Sequence, residues 1–264
     1  MEQTINNYRI GTAPEFFTAL STILGAILFL RFGYAVGTLG FWGVLMIIML
    51  GHMLTIPTAL AISELATNKR VEGGGEYFII SRSFGLNIGA TIGIALYLSQ
   101  AISVAFYIIA FTEAFEFVFN YFANAFDMHL PRQIISIPAI LLLGIIIIRK
   151  GANLGVKALY YVIGILTLSL LMFFMGKPEY QALSDVSVHL LDMKNMQDFF
   201  VVFAIVFPAF TGMTAGVGLS GDLKKPARSI PIGTIAATFT GAIIYVAVIY
   251  KLSLSASPED MLSN

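Results

Sequence analysis

The chain has 264 residues, 58% of them hydrophobic and 11% charged, with a net charge of zero and a mean hydropathy of +0.85. A water-soluble domain is about half apolar and about a quarter charged, so the composition excludes one and indicates an integral membrane protein. The even charge argues against a nucleic-acid partner, and the absence of cysteine excludes disulfides and thiolate metal sites.

In chain order, seven largely apolar runs approach the roughly 20 residues that a bilayer requires. The first fifteen residues are polar and carry no cleavable signal, so the first run is expected to remain as a span. Span 1 is placed at 14–36, with Pro14 in the first turn. Span 2, at 41–65, contains His52 and Pro57. A run at 72–76, Glu-Gly-Gly-Gly-Glu, follows. It lacks the Lys-Ser/Thr of a phosphate loop and reads as a turn or short re-entrant segment, with a gating role as the sharper alternative. Span 3 is placed at 86–119, with Glu113 and Glu116 near its end. Spans 4 to 7 are placed at 131–148, 157–176, 197–220 and 229–251, and a short polar tail runs from Ser253 to Asn264.

Spans 1 and 6 contain helix-weakening residues at their centres: Gly25 in the first, and Pro208, Gly212, Gly216 and Gly218 in the second. A break at bilayer depth frees backbone N–H and C=O groups where no water can satisfy them. It is tolerated where those groups line a cavity or hold a solute. Two broken spans five apart fit an inverted repeat of five helices plus five. On that reading 14–176 is a complete first repeat and 197–251 the first two helices of a second, so the chain is expected to be part of a longer transporter. Alternating the loops puts ten Lys and Arg residues on one side (Arg9, Lys69, Arg70, Arg82, Arg149, Lys150, Lys157, Lys224, Lys225, Arg228) and five on the other (Arg31, Arg132, Lys177, Lys194, Lys251). The richer side is expected to be cytoplasmic, with the N-terminus on it, in a cell membrane. Asp127, Glu179, Asp185, Asp192 and Asp198 then fall outside.

Four blocks carry a family resemblance. GAILFLR (25–31) with VGTLG (36–40), ATNKRVEGGGEYFIISRSFG (66–85), AFYIIAFTE (105–113), and FPAFTGMTAG (207–216) with SGDL (220–223) and SIPIGT (229–234) resemble, in order and spacing, the cation–chloride cotransporters, in a prokaryotic-type form. These belong to the wider amino acid–polyamine–organocation transporter superfamily. The resemblance implies an all-α membrane fold with discontinuous helices 1 and 6. It also implies symport of potassium and chloride by alternating access, with spans 1, 2, 6 and 7 moving against the others. Potassium would be held at Thr22, Ile23, Tyr107, Pro208 and Thr211. Chloride would rest on amides around Gly25, Ala26 and Ile27, and on those of Gly212, Met213 and Thr214. A partial sodium site would use Ser21 and Leu24; sodium dependence stays open because span 8 is not present. The expected partners are these ions and the lipid bilayer, with a homodimer left open, and no cofactor is expected.

The chemistry is consistent with that assignment. A hard monovalent cation takes carbonyl and hydroxyl oxygens, and an anion takes N–H donors at the positive end of a half-helix. Other readings stand beside it. Gly25 can serve helix packing, Pro208 a plain kink, and Tyr107 packing at an interface. Glu113, an acid at membrane depth, can be partnered by Arg31. His52 can be a satisfied bundle histidine, and Lys224, Lys225 and Arg228 can simply set topology. The histidines, His52, His129 and His189, are far apart in sequence, and no hydrolase or metalloprotease motif is found, so an enzyme is not expected. An amino-acid permease of the same superfamily and a non-transporting membrane subunit remain alternatives.

Overall fold

The computed structural model describes residues 10–68, 73–150, 152–177 and 195–263, excepting the side chains at 150, 152–157 and 263. The topology residues Arg9, Lys69, Arg70 and Lys194, the acids Glu72, Glu179, Asp185 and Asp192, and His189 lie outside the described residues, as do the side chains of Lys150 and Lys157.

Helix α1 is Thr12–Ile23 and α2 is Ala26–Asn68. Leu24 and Gly25 separate them, so the first crossing is interrupted where the sequence placed Gly25. At 43 residues α2 is twice what a bilayer needs. Gly40, at φ 68 and ψ 179, breaks it. That backbone is open to glycine but strained for a residue with a Cβ. The stretch Thr12–Asn68 is therefore divided at Gly40 into two lengths, 12–39 and 41–68, each long enough to cross a bilayer. Helix α3 is Gly75–Phe84, and Gly85 at φ 89 turns the chain into α4, Leu86–Glu113. Helices α5, Glu116–Phe126, α6, Gln133–Lys150, and α7, Ala152–Met175, follow. The second broken crossing begins as α8, Met196–Val206, and continues as two 3-10 segments, Phe207–Phe210 and Ala215–Asp222. Helix α9 is Pro226–Ser253 and α10 is Pro258–Ser263.

Three local expectations change. The run at 72–76 does not end in a bare turn, because Gly75 and Glu76 open the separate helix α3. Span 3 stops at Glu113 rather than 119. Glu116 instead begins α5, where an acid in the first turn complements the helix dipole. The polar tail folds as α10. Its Ser257 Oγ accepts from the Asp260 N–H at 3.2 Å and bonds the Asp260 carboxylate at 2.6 Å, a local cap that a polarity reading overlooks. Met261 then buries itself against the main core.

The core lies among α1, α2, α8 and α9. Phe32, Leu39, Ile47, Val202, Phe210, Tyr245 and Ile249 are almost fully buried there. Outside it, the apolar windows of α4 and of 158–175 are each only 6% buried. Those of Thr12–Asn68, Met196–Asp222 and Pro226–Ser253 reach 33%, 39% and 44%. Spans 1, 2, 6 and 7 thus form one packed body, while spans 3 and 5 expose apolar faces such as Ile94, Ile102, Ile165 and Met172. A parallel bridge, with Ile10 N donating to Asp222 O at 2.8 Å and Lys224 N to Ile10 O at 2.9 Å, ties the start of α1 to the end of the second broken crossing.

Candidate functional site

The two breaks meet. A methyl group added at Gly212 would stand 2.7 Å from Ile23 N and 2.8 Å from Thr22 C. The contact is between backbones, which cannot swing aside, so a residue without a Cβ is required. In front of this junction a cavity of about 1060 Å³ opens between the α1–α2 break, α3, α4 and the α8 crossing.

Most of the residues singled out in the sequence line it. Thr22, Ile23, Tyr107, Pro208 and Thr211 are on its wall, as are Gly25, Ala26, Ile27, Gly212, Thr214 and Ser21. Leu24 and Met213 are not; both are buried in the core behind the wall. Tyr107 comes from α4 and is 44% exposed, so its ring is presented to the cavity rather than packed away. The Thr211 hydroxyl donates to Pro208 O at 2.7 Å, and its oxygen lone pairs stay available to a cation. The Thr22 hydroxyl points back to Thr18 O at 2.8 Å, so what Thr22 can offer a cation is its backbone carbonyl.

Charged neighbours sort themselves. Arg31 pairs with Glu113 at 3.0 Å at one end of the cavity, as the sequence suggested, and Glu116 pairs with Arg132 at 3.3 Å. His52 Nδ1 bonds Ile48 O at 2.8 Å, the satisfied bundle histidine. Glu76, by contrast, reaches the cavity wall. Burial raises its carboxyl above the usual carboxylate range, and a hydrogen bond with the Thr214 side chain draws it part of the way back.

Sequence reading missed Tyr245 on α9. Its ring is fully buried, stacked on Phe32 at 5.0 Å and edge-on to Phe210 at 5.3 Å. Its hydroxyl contacts Ile23 O at the end of α1 and Ala209 O, the latter at 2.8 Å, in the first 3-10 segment. One side chain thereby binds a carbonyl from each break. The only hint in the sequence was a tyrosine inside an apolar helix, which ordinary packing explains equally well.

Among the described residues five helical stretches are long and apolar enough to cross a membrane, and the breaks in two of them face one cavity, the arrangement of a multi-pass membrane transporter. Residues 16–263 match the family described as amino acid permease, and the chain belongs to that family. Its transporter members agree with the expectation that this is not an enzyme. Similar curated proteins are "Solute carrier family 12 member 1" of Mus musculus, 35% identical over 86% of this chain and 22% of that protein; "Solute carrier family 12 member 2" of Homo sapiens, 34% identical over 86% and 20%; and "Bumetanide-sensitive sodium-(potassium)-chloride cotransporter" of Manduca sexta, 32% identical over 89% and 24%. Within its family the chain is therefore cation–chloride-cotransporter-like, and it spans about a fifth to a quarter of the length of these relatives.

Proposed function

We propose that this chain carries the ion-binding part of a secondary symporter that couples potassium to chloride. The observation that carries the reading is a cavity walled by both helix breaks, with Tyr107, Pro208 and Thr211 on its wall. Carbonyl and hydroxyl oxygens suit a monovalent cation, and the amides of residues 25–27 and 212–214 suit an anion next to it. The bound cation supplies the attraction that an uncharged anion site lacks, which makes the occupancy of each ion favour the other. Ser21, on the wall, would be one ligand of a partial sodium site, while Leu24 lies behind the wall. Alternating access would move the packed body of spans 1, 2, 6 and 7 against spans 3 to 5 in a cell membrane, with the Lys- and Arg-rich N-terminal side cytoplasmic.

An amino-acid carrier is the second reading, favoured by the family the chain matches and by the Glu76 carboxyl on the cavity wall, which could meet an ammonium group. Rubidium uptake into proteoliposomes, with chloride present or replaced by gluconate, separates the two. Uptake that collapses without chloride supports the symporter. Uptake indifferent to chloride, with competition from amino acids, supports the carrier.

A further inference from the structure

Glu76 stands where an anion is expected. The N-terminus of α3 docks on the second 3-10 segment: Gly75 N bonds Ser220 Oγ at 3.3 Å, and a methyl added at Gly75 would lie 3.3 Å from Gly218 Cα. This sets the next residue, Glu76, against Thr214, to whose side chain it is hydrogen-bonded. Glu76, Gly212 and Thr214 line the same cavity. A carboxylate beside the amides of residues 212–214 would repel chloride in a poorly hydrated space, where like charges cost most. The titratable groups on the elements packed against α3 are Arg31, Tyr34, His52 and Glu64 on α2, Tyr97, Tyr107 and Glu113 on α4, and Asp222 on the second 3-10 segment; α3 itself adds Tyr77 and Arg82, and of these Arg31 and Tyr107 share the cavity wall with Glu76. The Arg82 guanidinium lies in the last turn of α3, over the Phe78 ring at 5.4 Å. The ion pairs among the described residues, Arg31 with Glu113 and Arg132 with Glu116, do not involve Glu76.

We infer that Glu76 is a proton-binding residue coupled to the anion subsite, so that chloride occupies residues 212–214 together with a proton on the Glu76 carboxyl. The inference rests on the symporter reading above. The proton adds to a carboxylate oxygen and converts it to a hydroxyl, and no other bond changes. The neutral acid removes the repulsion and offers an O–H that can be turned toward the anion. Burial raises the carboxyl and so favours the protonated form, while the Thr214 hydrogen bond and the positive end of α3 favour the ionised one.

The test is equilibrium binding of radiolabelled chloride to the full-length chain in detergent, across a range from about pH 5 to about pH 9 that brackets a buried carboxyl. Wild-type affinity should fall as pH rises through the Glu76 titration, approaching about tenfold per pH unit at the alkaline end, as one proton per chloride requires. Glu76→Gln should bind chloride with an affinity that no longer varies with pH and that matches the acid limit of wild type. A pH-independent wild-type affinity overturns the inference without needing a variant, as does a Glu76→Gln protein that keeps the slope; in either case chloride binding itself leaves the symporter reading intact. No chloride binding at any pH overturns both.

Discussion

The cation end of the cavity depends on a few oxygens, and each can be removed without disturbing volume. Tyr107→Phe deletes a hydroxyl from a half-exposed ring and should leave packing nearly unchanged. Thr211→Val replaces a hydroxyl with a methyl and also takes a donor from Pro208 O. A contact to a charged partner is worth about 1.5–3 kcal/mol, so each change should raise the half-saturating rubidium concentration roughly ten- to a hundredfold. The check is rubidium uptake normalised to protein level; unchanged half-saturation would remove the residue from the cation site. Tyr245→Phe is a different experiment at the same scale. Tyr245 is not on the cavity wall, yet the change removes the buried hydroxyl that is shared between Ile23 O and Ala209 O. Leaving buried acceptors unsatisfied costs about 1–3 kcal/mol, so a fall in Tm is expected even where rubidium still binds. A Tm equal to that of wild type would mean the hydroxyl does not hold the two breaks together.

At the scale of elements, the breaks carry the argument. Gly212→Ala should destabilise by about 1–3 kcal/mol, since the new methyl meets backbone atoms of Thr22 and Ile23 that cannot repack; thermal unfolding in detergent reads it. Gly218→Ala is the matched control. Nothing lies within 4 Å of a Cβ there, so the same substitution in the same segment should be nearly silent. This contrast also shows what the sequence could reveal. Glycine and proline within apolar runs marked both breaks, because they weaken a helix whatever its surroundings. The apolar helices long enough to cross a membrane followed from hydropathy. Helix α3 and the end of α4 did not, since a short polar helix and a loop share a composition, and the Ser257 cap of α10 depends on two side chains meeting. The cavity wall was legible for the residues next to a break. Tyr245 was not, because its role arises only when α9 packs across both breaks, a contact 222 residues apart in sequence.

For the whole molecule, the question is which parts travel together. Spans 1, 2, 6 and 7 share one buried core, to which the 158–175 stretch adds Leu170 with Leu166 and Phe173 packed against it, whereas α4 contributes nothing to that core. A body held by Tyr245, by Phe32 stacking and by the Ile10–Leu223 bridge should rock as a unit against the α4 side of the cavity. Packed interfaces switch between discrete arrangements rather than deform. Thr12 on α1 and Ser229 on α9 lie within the body, their hydroxyls 3.0 Å apart, so cysteines at both positions can be oxidised to a disulfide. The chain has no cysteine of its own to interfere. The oxidised Thr12→Cys, Ser229→Cys protein should keep most of its rubidium uptake, with reduction making little difference. Loss of uptake on oxidation, recovered by a reducing agent, would show instead that α1 parts from α9 during each cycle, and the moving unit would then be a half-helix rather than the four-span body.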